Sequence, residues 1–251
     1  MAHSVVENGH VASAGRTILS GDAVIIDGCL TSADPAEAWN FYLRQKFWDN
    51  HVEGFTPVYR LTDGRGWSSS TTRLRYRTEP APGAPTVSGN QGTVLGRLFG
   101  RMFADRATAG LLDRFDPWSH LDLSCSLFHH GAGLGWHADQ GHAGAFIYYV
   151  HPEWQDTWGG ELLLEEGGRS PAEAIGEGAS HRDLYRTVSC ASAPPTGLGT
   201  YVSPHPNRLV VFKAGVRHCV KKVETASGEA FRGAISGFFT SHGPDEPATD
   251  P

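Results

Sequence analysis

Two side chains that commonly bind metal ions stand two positions apart in the segment Gly135-Trp136-His137-Ala138-Asp139. In an extended chain, residues two apart project to the same side, so His137 and Asp139 are able to bind one cation together. The chain contains 13 histidines, however, and an isolated His-x-Asp pair often arises by chance. On this pair alone, an ordinary solvated or core histidine is the better interpretation.

A third side chain of the same chemistry is His218, which follows the strand-like segment RLVVFKA and a turn at Gly215. If that strand lies opposite the His-x-Asp segment, the three side chains form a face of two histidines and one carboxylate. Such a face leaves three coordination positions open, as non-haem Fe(II) oxygenases require, whereas structural zinc sites are closed and often use cysteine. Cys219 is adjacent to His218, so on a strand its side chain points away. We therefore predict that His137, Asp139 and His218 form a catalytic metal site.

Arg232 begins the next strand-like segment, RGAISGFF. A guanidinium inside a small barrel is costly unless it is paired, and a dicarboxylate co-substrate would supply the partner because arginine binds carboxylates through a two-pronged fork. The alternative is an arginine at the barrel rim, exposed or paired with Glu224 or Glu229. Together with the three metal-binding side chains, the co-substrate role is the favoured interpretation.

The order of these segments resembles the prolyl-4-hydroxylase-like branch of the Fe(II)/2-oxoglutarate dioxygenases. The segments that carry the resemblance lie within residues 120–241: the His-x-Asp motif, then Trp158-Gly159-Gly160-Glu161-Leu162, RLVVFKAGVRH and RGAISGFF. The resemblance implies a double-stranded β-helix, or jelly roll, that uses Fe(II), 2-oxoglutarate and O₂. It also implies that Arg232 holds the distal carboxylate of 2-oxoglutarate. Related halogenases have a small residue at the position of Asp139, so the carboxylate favours hydroxylation, desaturation or oxidative ring closure.

Two features depart from the pattern of these dioxygenases, and the first is that Arg232 lies farther from His218 than in many relatives because of the turn Thr225-Ala226-Ser227-Gly228. Second, many members place a tyrosine nine or ten residues before the first metal-binding histidine, where it contacts the co-substrate. This chain has Leu127-Phe128-His129-His130 in that stretch. Any such hydrogen bond to the co-substrate must therefore come from another donor.

The surrounding sequence predicts a mainly β fold with flanking helices. Short apolar runs separated by glycine or proline follow residue 120, as in a β-sandwich or barrel: LDLSCSLF, AFIYYV, ELLLEE, GTYV, RLVVFKA and AISGFF. We expect one domain over residues 1–251, with frayed residues 1–20, helical and extended support over 21–119 and the jelly-roll core over 120–241. A Gly/Ser/Pro-rich insertion at 167–198 is long enough to be a lid or substrate loop.

Two helical regions are expected in the supporting half. After the strand DAVIIDGCL, Thr31 or Asp34 is suited to cap a helix, and Trp39, Tyr42, Leu43, Phe47 and Trp48 recur at helical spacing as a buried stripe. Residues 93–115 form a second helical pattern, which is interrupted around Gly100 and Gly110.

The composition argues against nucleic acid and membranes as partners. The formal net charge of −6 gives no basic surface for nucleic acid, and no run approaches the roughly 18 apolar residues of a membrane span. The four cysteines form no Cys-x-x-Cys pair, so free thiols in a reducing cytoplasm are expected. The sequence leaves the oligomeric state open.

Several features of the sequence bear on the substrate. The insertion and the lack of a peptide-docking segment favour a small molecule, and the composition suits a bacterial enzyme of secondary metabolism, acting for example on an antibiotic intermediate such as an aminoglycoside. Prolyl or free amino-acid hydroxylation is one alternative, and a non-catalytic metal-binding jelly-roll protein is another. For His129 and His130, an ordinary polar role in a loop is favoured over contact of one of them with the substrate. Four further histidines are expected to be solvated: His142, His151, His181 and His205.

Overall fold

The computed structural model describes residues 15–50, 63–77, 86–87, 92–139, 141–166 and 197–241. The expected lid at 167–198 lies outside these residues except for its last two positions, and His181 lies outside them as well. Among the described residues, no helix is long and apolar enough to cross a membrane.

In the described part of its first half, the chain forms three helices and six short strands. The helices are α1 (Asp34–Leu43), α2 (Val94–Ala104) and α3 (Arg106–Leu112). The strands are β1 (Arg16–Ser20), β2 (Ala23–Asp27), β3 (Trp48–Asp49), β4 (Gly66–Ser68), β5 (Thr72–Arg77) and β6 (Thr86–Val87).

The described part of the second half is mainly β-structure, as the runs of apolar residues predicted. Its strands are β7 (His120–Phe128), β8 (Leu134–His137), β9 (Gly144–Tyr149), β10 (Leu162–Glu165), β11 (Gly199–Val202), β12 (Leu209–Lys213), β13 (His218–Val220) and β14 (Arg232–Thr240). The described residues also form 3₁₀ turns at Asp156–Trp158 and Thr225–Ser227.

These strands form two antiparallel sheets. The larger has the order β1-β2-β12-β9-β14-β7-β4-β3, with β5 also pairing with β7 and β6 pairing with β5. The smaller has the order β11-β10-β13-β8. The crossing order of the second-half strands between the two sheets is that of a double-stranded β-helix, so the predicted fold class is confirmed.

The central strands of the larger sheet are covered on both faces. Its outer face packs against the helices, where α2 contributes apolar residues three and four positions apart: Leu95, Leu98, Phe99 and Met102. Its inner face packs against the smaller sheet through a second cluster that includes Phe128, Tyr149, Leu162, Val220 and Ala234. Because strand side chains alternate between faces, Arg232 projects from the same inner face of the larger sheet as Ala234, two residues further along β14.

Local details differ from the expectations in three places. Residues 16–20, expected to be frayed, form the edge strand β1 against β2. The break in the second helical pattern is at Asp105, whose side chain accepts a hydrogen bond from the Thr108 N–H and caps α3. The expected apolar stripe of the first helix is only partly buried, because α1 ends at Leu43, and Leu43 and Trp48 are exposed.

The capping prediction for the first helix is also wrong. Ala33 occupies the N-cap position of α1 without a side-chain hydrogen bond, although proline does occupy the first turn. Instead, Asp34 accepts a hydrogen bond from Arg97 Nε at 3.0 Å, which ties α1 to α2. Asp34 therefore joins two helices rather than capping one.

Candidate metal centre

His137 and His218 are neighbours across two strands of the smaller sheet. His137 is the last residue of β8 and His218 the first of β13, and the two are register partners with ring centroids 4.1 Å apart. The pairing register shifts between His218 and Val220, a bulge-like irregularity of the kind that re-aims side chains near active sites. The sheet thus brings together two histidines that are far apart in sequence.

Asp139 lies just beyond β8 and completes the group. Its carboxylate oxygens are 3.8 Å from Nε2 of His137 and 3.5 Å from Nε2 of His218. One ligand atom from each of the three residues lies within 4.8 Å of the others. The backbone of Asp139 is fixed because its carbonyl accepts a hydrogen bond from the Gly215 N–H at 3.2 Å. Within the described ranges, no other group of three such side chains converges in this way.

Hydrogen bonds orient both imidazoles toward a shared point. Nδ1 of His137 lies 2.7 Å from the Gly135 carbonyl, and Nδ1 of His218 lies 2.8 Å from the Val216 carbonyl. A carbonyl only accepts, so we assign the proton of each neutral ring to Nδ1. The lone pair of each Nε2 then faces Asp139, which is the arrangement found in metal-binding histidines.

Burial keeps His137 in the form that binds metal ions. Its side chain is 4% exposed, and burial, followed by repulsion from the neighbouring His218, lowers the pKa of His137 to about 4. The imidazole is therefore neutral near pH 7, with its lone pair available. Two nitrogen donors and one carboxylate on one side of a point fit a non-haem Fe(II) ion with three further positions open.

Arg232 lines the same cavity from strand β14. Its side chain is 2% exposed, and its Nε donates to the Gly160 carbonyl at 2.8 Å while Nη2 donates to the hydroxyl of Tyr149 at 3.3 Å. No carboxylate among the described residues pairs with Arg232, so the alternative of a partner in Glu224 or Glu229 is not realised. The result is a desolvated cation without a counter-ion from the described part of the chain.

Two aromatic rings and a glycine shape the niche of Arg232. Its guanidinium carbon lies 4.9 Å from the ring centre of Tyr149 and 5.7 Å from that of Phe128. Phe128 occupies the stretch where the resemblance led us to look for a tyrosine, so the hydroxyl comes instead from Tyr149 on β9. Gly160 has φ of +73°, and a Cβ there would lie 2.9 Å from Cδ of Arg232. A larger residue at 160 would therefore displace the arginine.

The sequence reasoning missed Tyr149, although a signal for it was present. In the run AFIYYV, alternation places Tyr149 on the same face as Ala145 and Ile147, the cavity side of β9. Without the pairing of β9 with β14, nothing indicated which of the two adjacent tyrosines would meet Arg232. Tyr148 in fact points the other way and donates to Asn207 Oδ1 at 3.0 Å.

A cavity of about 150 Å³ connects the three metal-binding candidates with Arg232. Its apolar lining is Phe128, Leu134, Ala145, Phe146, Ile147, Phe212, Val220 and Phe238. Its remaining lining consists of Gly237 and four serines, Ser68, Ser124, Ser126 and Ser236. The cavity is therefore apolar on one side and carries hydroxyl groups on another.

His151 is buried, contrary to the expectation that it is solvated. It is 3% exposed; its Nε2 lies 2.6 Å from the Pro204 carbonyl, and its Nδ1 accepts from the Gly233 N–H at 3.2 Å. Burial lowers the pKa of His151 to about 4. Because Gly233 adjoins Arg232, this neutral imidazole helps to fix the backbone that carries the arginine.

The other histidines make ordinary contacts. The ring of His142 stacks on Phe238 with 4.3 Å between centres, whereas His205 is 46% exposed and 4.0 Å from Asp156. His129 packs against Trp67 at 4.8 Å, and neither His129 nor His130 lines the cavity. A contact of one of them with the substrate stays a hypothesis.

Comparison with known families agrees with this geometry. Residues 123–240 match the family model described as the 2OG-Fe(II) oxygenase superfamily, a range that contains all three metal-binding candidates and Arg232. This match covers nearly half of the chain and identifies residues 123–240 as a member of the 2OG-Fe(II) oxygenase superfamily. The chain is accordingly a non-haem dioxygenase that uses Fe(II), 2-oxoglutarate and O₂.

Solved structures show the same fold for this 2OG-Fe(II) oxygenase. A prolyl-4-hydroxylase from Pseudomonas putida is similar over 89% of this chain and 95% of its own, with 15% identity and a TM-score of 0.50. A protein described as IDO from Bacillus thuringiensis is similar over 88% of this chain and 94% of its own, with 13% identity and a TM-score of 0.51. No curated protein matches the chain in sequence. At these identities the likeness concerns the fold and leaves the substrate open.

Proposed function

We propose that His137, Asp139 and His218 hold the iron and that Arg232, with Tyr149, holds the distal carboxylate of 2-oxoglutarate. The observation that carries the proposal is the buried Arg232, which lines the same cavity as the converging triad and has no carboxylate partner in the described ranges. Isolated buried charges are strongly disfavoured, so a site of this kind is built for an anion.

The metal-binding side chains and the arginine have separate roles. Neutral imidazoles and a carboxylate would hold Fe(II), which supplies activation of O₂ coupled to conversion of 2-oxoglutarate to succinate and CO₂. Asp139 occupies the position that a halide ion would need, which supports hydroxylation, desaturation or ring closure. The protein orients both substrates and excludes water from the apolar side of the cavity.

Arg232 suits the distal carboxylate in both charge and hydrogen bonding. Its Nε is held by Gly160 and its Nη2 by Tyr149, so the guanidinium has a fixed direction before any ligand binds. The hydroxyl of Tyr149 accepts from the arginine and has its own proton left to donate. A carboxylate here would receive a charge-assisted hydrogen bond in a desolvated setting, where such bonds are strongest.

We further propose that the substrate is a small molecule, with an antibiotic intermediate such as an aminoglycoside as one example. The cavity of about 150 Å³ and the net charge of −6 support a small and cationic substrate. Prolyl hydroxylation is a second candidate, favoured by the structural likeness to the Pseudomonas putida prolyl-4-hydroxylase. We also propose that the chain is one oxygenase domain, since β2 pairs with β12 and β5 pairs with β7 across the two halves.

Succinate formation in the absence of substrate tests the assignment of ligands. Purified protein with Fe(II), 2-oxoglutarate and O₂ is expected to form succinate slowly, and His218→Ala is expected to abolish this. His205→Ala is the matched control because His205 is exposed and outside the cavity. Full succinate formation by the His218→Ala variant would refute the proposed ligand set.

A further inference from the structure

Strand β7 has an unusual distribution of side chains between its two faces. The residues that face the helices are apolar, namely Leu121, Leu123 and Cys125. The alternate residues Ser124 and Ser126 face the cavity between the sheets. A strand that only had to pack inside a jelly roll would be apolar on both faces, since strands favour β-branched and aromatic residues over small polar ones.

Serines on the neighbouring strands extend this hydroxyl surface. Ser68 of β4 is the register partner of Ser126, and Ser236 of β14 is the register partner of Ser124. Direct partners across antiparallel strands are about 5 Å apart, and residues two apart on one strand are about 7 Å apart. We call Ser68, Ser124, Ser126 and Ser236 the serine wall.

None of the four hydroxyls of the serine wall makes a hydrogen bond to any described residue, and all four residues line the cavity. All four residues are only partly buried, so their hydroxyls remain available at the cavity surface to bond to a ligand or solvent. The rest of the lining is largely apolar.

The outer part of the serine wall lies beyond the reach of 2-oxoglutarate anchored at Arg232. Along β14, Ser236 is four residues from Arg232, a distance of about 13 Å in an extended strand. Its partner Ser124 lies at the same level on β7. The next inward-facing residue of β14 is Phe238, which offers an aromatic surface beside the hydroxyls. Ser124 and Ser236 therefore face the space left for the substrate to be oxidised.

We propose that the serine wall binds a polyhydroxylated ring, such as a cyclitol or a sugar, and thereby selects the substrate class of this oxygenase. This inference rests on the proposed function of the metal centre. Serine hydroxyls both donate and accept, so they match a ligand that carries several hydroxyls at spacings of about 5 Å. The C–H face of such a ring packs on Phe238 and Ile147, whereas a prolyl ring would leave most of the serine wall without partners.

The test is stimulation of succinate formation by a panel of compounds. One arm contains cyclitols, hexoses, amino sugars and disaccharides, and the other contains free L-proline and short prolyl peptides. At least one polyhydroxylated compound is expected to raise succinate formation above the substrate-free rate, with a hydroxylated, desaturated or cyclised product. Stimulation by prolyl compounds alone, or by no member of the panel, would overturn the proposal.

Variants then connect the response to the serine wall. Loss of one neutral hydrogen bond corresponds to about a fivefold change in binding, so Ser124→Ala and Ser236→Ala together should raise the half-stimulating concentration of the active polyol about 25-fold. The half-saturating concentration of 2-oxoglutarate should rise far less. Ser203→Ala is the matched control, because Ser203 is buried but bonds to Asp156 outside the cavity.

The outcomes distinguish a failure of the serine wall from a failure of the proposed function of the metal centre. If the parent protein forms no succinate with or without the panel, the proposed function of the metal centre fails. If the parent forms succinate but the double variant keeps its response to the polyol, only the serine wall is wrong. If the double variant raises the half-stimulating concentration of polyol and the half-saturating concentration of 2-oxoglutarate equally, the serine wall is also wrong. The serines would then contribute to binding of the co-substrate or to the stability of the barrel.

Discussion

Replacement of Arg232 by methionine is expected to change two properties of the protein in opposite directions. Methionine keeps most of the unbranched side-chain length and fills irregular space, but removes the charge and the donors. The parent arginine is 2% exposed and has no carboxylate partner in the described part of the chain. The arginine therefore destabilises the ligand-free protein and strengthens the binding of 2-oxoglutarate, and the variant should lose both effects.

The expected changes in 2-oxoglutarate affinity and in stability follow from the surroundings of the guanidinium. Removing one member of a buried ion pair typically weakens the interaction by about 3–5 kcal/mol, which corresponds to roughly a 100- to 5000-fold loss of affinity for 2-oxoglutarate. In the ligand-free protein, relief of desolvation offsets the lost hydrogen bonds to Gly160 and Tyr149. We expect the free energy of unfolding of the ligand-free variant to equal or exceed that of the parent.

Two assays measure these effects on the same preparations. Urea unfolding without ligand gives the stability, and succinate formation over a range of 2-oxoglutarate concentrations gives the KM. Arg208→Met is the matched control, since Arg208 is also poorly exposed but is paired with Asp27, with Nη2 at 3.1 Å from Oδ2. That control should lose stability and keep its KM. An Arg232→Met variant with an unchanged KM and a large loss of stability would refute the reasoning, because it would make Arg232 structural.

Three further variants test neighbouring parts of the account. Tyr149→Phe removes one hydroxyl beside Arg232 and should raise the KM for 2-oxoglutarate about fivefold, measured by succinate formation, while an unchanged KM would remove Tyr149 from the anchor. Burial holds the pKa of His151 near 4, below its unfolded value of about 6.5, so its contribution to stability is complete above pH 6.5 and is lost as the pH falls toward 4. Between pH 6.5 and 4, the free energy of unfolding of the parent should fall by up to about 3 kcal/mol more than that of His151→Gln, as measured by urea unfolding. Identical pH profiles for the two proteins would contradict the assignment. Gly160→Ala should raise the KM for 2-oxoglutarate because its Cβ would meet Arg232 at 2.9 Å, and a parent-like KM would show that the arginine tolerates displacement.

The local chemistry of the centre was accessible from the sequence, because it depends on residues close together in the chain. The His-x-Asp spacing places His137 and Asp139 on one side, and His218 follows a recognisable strand. Glycine-separated apolar runs likewise predicted the strands of the core. The resemblance of these segments to a known family supplied the fold and the co-substrate, which spacing alone would have left open.

Features that depend on strand pairing could not be predicted from the sequence. Ser124 and Ser236 are register partners on β7 and β14, yet nothing in one sequence says that these strands are adjacent. The same limit hid the contact between Tyr149 and Arg232. The burial of His151 was missed because its partners are backbone atoms of Pro204 and Gly233, which leave no pattern of residue types.

Anaerobic addition of 2-oxoglutarate to the Fe(II)-loaded protein tests the central claim most directly. Chelation of the metal by the co-substrate gives a weak visible charge-transfer band, and we expect that band to appear and to saturate at one 2-oxoglutarate per chain. Asp139→Ala should remain folded and lose both the band and succinate formation. A parent protein without the band, or an Asp139→Ala variant that keeps it together with full succinate formation, would contradict the assignment of His137, Asp139 and His218.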